Sequence, residues 1–167
     1  MKLSSFEAIV GALNAGGVRY LVVGGIAVNA HGYLRVTNDV DIVIRLERSD
    51  IVAAFASLAA IGYFPSVPIT AEEFADPALR ESWRREKGML VLKMWSDAHR
   101  ETPLDLFIYH PFDFDLEYGR AMVSDDPVAR FASIPALIAM KQQAGRDTDL
   151  IDVAKLRQIE EIGGHGS

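Results

Sequence analysis

The stretch Tyr20 to Ile44, YLVVGGIAVNAHGYLRVTNDVDIVI, decides how this chain is read. It opens on Tyr20-Leu21-Val22-Val23, a continuous aromatic and β-branched run with the composition of a buried strand. Gly24-Gly25 ends that run, and Ile26 to His31 reads as a short helix. Glycines between a strand and a helix let the backbone approach a ligand closely, and a helix N-terminus presents unpaired N–H groups that suit a phosphate. A plain strand-to-helix turn is the alternative. The stretch closes on a second strand, Val40 to Ile44. Side chains alternate along a strand, so Asp39 and Asp41 point one way while Val40, Ile42 and Ile44 point into a core. Two carboxylates on one face of an apolar strand repel each other and resist burial, so they call for a cation. Oxygen-only ligands suit magnesium. An exposed edge strand with two solvated aspartates is the competing interpretation.

A third acid lies downstream. Leu104-Asp105-Leu106-Phe107-Ile108 reads as a strand within Leu104 to Tyr109, with Leu104, Leu106 and Ile108 on the core face and Asp105 opposite them. Paired beside the Asp39/Asp41 strand, it brings three carboxylates together, enough for one or two divalent ions and in-line displacement at phosphorus. Met89 to Trp95 forms a hairpin with it across the polar loop Ser96 to Pro103.

The other elements follow from periodicity and caps. A helix spans about Ser5 to Ala15, capped by Ser4 or Ser5 and stopped by Gly16-Gly17. Ser49 caps a helix to about Ala60, with Asp50 in its first turn. Thr70 to Glu86 is helical in part, broken near Asp76-Pro77, and Ala121 to Ser124 is a short strand. Ser133 caps a helix through Ala144, a last helix covers about Thr148 to Ile162, and residues 163–167 should fray. The expected fold is α/β (α+β), a small mixed sheet of about four or five strands flanked by helices. It is one domain over 1–167, with a sheet core to about 132 and C-terminal helices over about 133–162.

Composition narrows the function classes. The 167 residues carry 17 Lys+Arg against 23 Asp+Glu, a net charge of −6, which argues against a general nucleic-acid-coating protein. The absence of cysteine excludes disulfide scaffolds, thiolate zinc sites and cysteine nucleophiles. No signal peptide is evident, and the longest apolar stretch, Ile51 to Phe64, is too short to cross a bilayer. A cytoplasmic location without membrane partners is therefore expected.

The order Gly24-Gly25, thirteen intervening residues, Asp39-Val40-Asp41 and then Asp105 resembles the DNA-polymerase-β-like nucleotidyltransferase superfamily. Within it, Arg35-Val36-Thr37-Asn38-Asp39-Val40-Asp41 and the segment from Lys141 through Ala144-Gly145-Arg146 to Asp149-Leu150-Ile151-Asp152 look like the small bacterial group related to AbiEii-type toxins. The resemblance runs from about Phe6 to Leu156. It implies the polymerase-β-like fold with a helical C-terminal region. It also implies transfer of a nucleoside monophosphate from an NTP to an acceptor hydroxyl, with pyrophosphate released. Asp39 and Asp41 would then bind Mg²⁺, or Mn²⁺. Asp105 would complete the metal site or act as general base. Gly24 and Gly25 would cradle the triphosphate, with Arg35, Thr37, Lys141 and Asp149 also at the nucleotide. Position 25 is glycine where the polymerase version has serine, so binding there leans on the backbone and on Lys141 or Arg35. The acceptor is left open between tRNA, protein and a small molecule such as an aminoglycoside- or lincosamide-like antibiotic. A cognate antitoxin, or a catalytically silent toxin–antitoxin binding module, belongs to the same range of implications.

Other groups have plainer readings. Asp113-Phe114-Asp115 reads as a helix start. Arg80, Arg84, Arg85 and Lys87 read as a solvated helix face, with a phosphate-steering patch as the alternative. The four histidines lack metal-ligand spacing, Trp83 and Trp95 read as packing residues, and Asp147, Asp149 and Asp152 suit a helix N-terminus.

Overall fold

The computed structural model describes residues 1–164. Within them, eight helices and seven strands follow one another as α1 (Leu3–Ala15), β1 (Tyr20–Val23), α2 (Gly24–Ala30), β2 (Val40–Ile44), α3 (Arg48–Ala60), β3 (Tyr63–Pro65), α4 (Ala71–Ala75), α5 (Pro77–Lys87), β4 (Val91–Ser96), β5 (Leu104–Phe107), α6 (Phe114–Arg120), β6 (Met122–Asp125), β7 (Val128–Phe131), α7 (Ile134–Ala144) and α8 (Asp147–Gly164). The strands form one mixed sheet in the order β3-β4-β5-β2-β1-β7-β6.

The centre of the sheet carries the acids. β2 runs antiparallel to β1 and parallel to β5, with Val40 opposite Leu104, Asp41 opposite Asp105 and Ile42 opposite Leu106. β4 and β5 form the expected antiparallel hairpin, with Lys93 opposite Asp105. One transverse row therefore runs Lys93, Asp105, Asp41, Val23 across four strands, and Gly24 follows at its end. Neighbouring strands lie about 4.8 Å apart, so side chains of one row on one face are neighbours.

The sheet is wider than the expected four or five strands. β3 has only three residues and ends in Pro65, and β7 starts directly after Pro127 with only Ala129 and Phe131 buried, so neither stands out as an apolar run. Val43, which alternation along β2 puts on the same face as Asp41, is fully buried, so that face opens only at the Asp39–Asp41 end of β2.

Several local expectations change. α1 begins at Leu3 with no side-chain cap, and Ser5 is buried, its hydroxyl hydrogen-bonded to His99 Nδ1 at 2.8 Å. α2 starts two residues early, at Gly24, so the glycines belong to the helix itself. Ser49 does not cap α3; the helix starts at Arg48. Asp50 instead accepts a hydrogen bond from the Arg19 backbone N–H at 3.0 Å, pinning α3 to the entry of β1. The Asp76-Pro77 break is present: Thr70 and Glu73 form a capping box on α4, and Asp76 caps α5 through Ala78 N–H. Asp113 caps α6, and Ser133 caps α7, which ends at the left-handed Gly145. α8 continues to Gly164, past the expected fraying point, while residues 165–167, including His165, lie outside the described residues. Trp83 is buried as expected, but Trp95 is half exposed opposite exposed Phe64. Among the described residues, no helix is long and apolar enough to cross a membrane.

Candidate functional site

Gly24 has φ +70°, a conformation that disfavours any side chain. Its missing Cβ is also needed for space: one built there would lie 2.2 Å from Asp41 Oδ2. The β1–α2 turn thus lies directly against the central carboxylate. A Cβ on Gly25 would meet Thr37 Oγ1 at 2.7 Å and an Arg35 guanidinium nitrogen at 3.3 Å. Arg35 and Thr37 therefore pack behind the turn. Arg35 is tied there through its backbone N–H and carbonyl to the Asn29 side chain.

A cleft of about 630 Å³ opens on the acid face. Of the residues expected at the site, Gly24, Asp39, Asp41, Asp105, Lys141 and Asp149 line it, while Gly25, Arg35 and Thr37 do not. Burial and the neighbouring Asp105 and Asp39 charges push the Asp41 carboxyl up to about 7, only partly offset by Lys141 and Lys93. Asp105 is also raised, by burial, against the lowering effect of Lys93. Lys93 Nζ reaches Asp105 Oδ1 at 3.4 Å from an exposed position on β4.

This set matches a divalent cation in donor type and in electrostatic need. It offers three carboxylates and no soft ligand, and it holds two of them above their ordinary range where opposite charge is short. The acids are not drawn into a coordination shell: among the described residues, no three His, Cys, Asp or Glu side chains form a ready-made metal cluster.

The opposite wall comes from α7 and α8. Lys141 is buried, with Nζ 2.8 Å from Asp152 Oδ2 and 3.6 Å from Asp149 Oδ1. Arg146 donates to Asp149 through Nε at 2.7 Å and through its backbone N–H at 3.2 Å. Burial pushes Asp149 up, but these hydrogen bonds, with the Arg146 and Lys141 charges, outweigh it and leave the carboxyl below its usual range. Asp149 and Asp152 therefore do more than decorate a helix start.

The rim holds two aromatic residues that sequence reasoning left unassigned, Phe107 and Tyr109, beside an arginine of the basic cluster. Phe107 and Tyr109 continue the alternation of Asp105 and line the cleft, and Arg84 lies over the Tyr109 ring, 3.9 Å from its centroid. The period-2 pattern 105-107-109 was the available signal. The basic cluster is thus not one solvated face. Arg80 is buried, donating to the Phe74 carbonyl, and Arg84 faces the cleft; Arg85 and Lys87 remain exposed.

The sheet and its cleft define a mixed α/β protein with an acid-lined, glycine-backed pocket. No family model matches the chain, and no curated protein matches it.

Proposed function

We propose that the chain is a metal-dependent nucleotidyltransferase of the polymerase-β-like kind. It would transfer a nucleoside monophosphate from an NTP to an acceptor hydroxyl. The observation that carries the reading is the Asp41–Asp105 register of parallel β2 and β5, with Gly24 seated against Asp41 and Lys141 across the cleft. Asp39, Asp41 and Asp105 are the residues that would hold Mg²⁺, or Mn²⁺. When bound, such an ion would supply positive charge that offsets the charge building on the phosphoryl oxygens.

The chain's own groups do the rest. Gly24 lets the turn approach Asp41 at the cleft wall, with Gly25 behind it and Arg35 and Thr37 supporting the turn; a triphosphate would bind along that backbone. Lys141 offers its ammonium to the same anion, and Asp149 keeps that ammonium partnered. The acceptor oxygen forms a bond to the α-phosphorus as the α–β bridging bond breaks and pyrophosphate departs. Where Asp105 acts as base and not as metal ligand, it would take the acceptor's proton; burial raises its affinity for protons.

One observation bears on the acceptor. Among the described residues, the cleft's carboxylates are Asp39, Asp41, Asp105 and Asp149. The first three serve the metal and the last is paired with Lys141 and Arg146. The remaining rim offers Phe107, Tyr109 and Arg84. A polycationic aminoglycoside finds little to neutralise it there, so a neutral or anionic acceptor, in RNA, protein or a small molecule, fits better. Calorimetric titration of NTPs with and without Mg²⁺ tests the proposal. The wild-type chain should bind in a Mg²⁺-dependent manner, and Asp41→Ala should fold yet lose that binding. Binding unchanged by the substitution refutes it.

A further inference from the structure

Asp152 is 2% exposed and does not line the cleft, yet it touches a residue that does. Its Oδ2 sits 2.8 Å from Lys141 Nζ and 3.0 Å from an Arg35 guanidinium nitrogen. These are close ion pairs rather than aligned hydrogen bonds, since neither satisfies Oδ2 as an acceptor. Arg35 in turn abuts the position a Gly25 Cβ would take. A single buried carboxylate therefore joins the wall that carries Lys141 to the support of the glycine turn.

We propose that Asp152 is a positioning residue: clamped by Arg35, it holds the Lys141 ammonium at the cleft wall, aimed at the anion that binds there. The inference rests on the nucleotidyltransferase reading for the identity of that anion, a triphosphate.

Three physical effects support this role. A lysine head sits on a long stem with many rotamers, so an unclamped Lys141 samples many positions. Two carboxylates alone would overcompensate one ammonium. Arg35 on Asp152 and Arg146 on Asp149 return that charge, leaving the five-residue cluster with one net positive charge beside the cleft. Finally, Arg35 stands behind the turn rather than in the cleft, so it acts on the anion only through Asp152 and Gly25. When Asp152 is removed, Lys141 keeps only its longer contact to Asp149 and faces an Arg35 that has lost its counter-charge, so repulsion between the two cations displaces the ammonium.

Positioning and plain electrostatics predict opposite signs for one titration. Magnesium tripolyphosphate, which has the triphosphate and no base, is titrated into wild type and Asp152→Ala. The substitution removes a negative charge near the cleft, so electrostatics alone predicts tighter binding. Positioning predicts binding about tenfold weaker. Tighter or unchanged binding overturns the proposal.

A second readout needs no nucleotide. Reductive methylation followed by peptide mass spectrometry should find Lys141 protected in wild type and reacting in Asp152→Ala like exposed Lys87. Continued protection of Lys141 overturns the proposal. If Asp152→Ala does not fold, Asp152→Asn removes the same negative charge within the same shape, with the same two outcomes expected. A wild-type chain that binds neither tripolyphosphate nor any NTP refutes the nucleotidyltransferase reading, while the methylation result still decides whether Asp152 positions Lys141.

Discussion

Gly24 and Asp41 are the residues on which the site depends most. In Gly24→Ala the new methyl group must share space with the Asp41 carboxylate, in a left-handed conformation that costs a non-glycine residue about 1–2 kcal/mol. The flexible carboxylate, not the backbone, will yield. Gly24→Ala should therefore lower the midpoint of thermal unfolding modestly and Mg²⁺-dependent NTP binding severely, as differential scanning and calorimetry would read. Asp41 makes a pH prediction. Burial, Asp105 and Asp39 push its carboxyl from the ordinary 3.8 up to about 7 in the folded chain. The folded state then holds this proton more tightly than the unfolded chain does. The stabilisation is complete below the unfolded value and is lost as pH rises through about 7, a change on the order of 4 kcal/mol. Urea denaturation of the metal-free protein should show stability falling from pH 5 to 8, with Asp105 adding to the same trend, and Asp41→Asn should flatten the profile.

At the scale of elements, Ser49 shows how a cap can be misassigned. An acid in the first turn of α3 suits the helix dipole, and Ser49 suits a cap, but the fold uses Asp50 to accept the Arg19 N–H at the entry of β1. Asp50→Ala should cost about 1 kcal/mol by leaving that N–H without its partner, measurable as a shift in urea midpoint at constant slope. The strands with long apolar runs, β1, β2, β4 and β5, were readable because continuous or alternating burial leaves a pattern in four to six residues. β3 and β7 were not, since their pairing is decided by neighbours distant in the chain: Tyr63 opposite Ser96, and Phe131 opposite Val22. The acids and glycines were readable for the same local reason. What lay beyond reach was the α7–α8 cluster: the motif holds Lys141, Arg146, Asp149 and Asp152 in order, but the partnership of Asp152 with Arg35 spans most of the chain.

For the whole molecule, the net charge of −6 is a poor guide to the partner it binds. Asp39, Asp41 and Asp105 share one face at the mouth of the central strands, while Arg84, Lys141 and Arg146 stand around the same cleft. A bound divalent ion would turn the cleft toward positive, as a triphosphate requires. The rim of Phe107, Tyr109 and Arg84 is then left to the acceptor. The most direct measurement is incubation of the chain with α-labelled NTPs, Mg²⁺ and a pool of tRNA, protein and aminoglycosides, following both label transfer and pyrophosphate release. Nucleotidyl transfer at this site predicts Mg²⁺-dependent labelling of one acceptor class with stoichiometric pyrophosphate, abolished in Asp41→Asn. No labelling of any acceptor together with no NTP binding by the wild-type chain, or labelling that persists in Asp41→Asn, would contradict it.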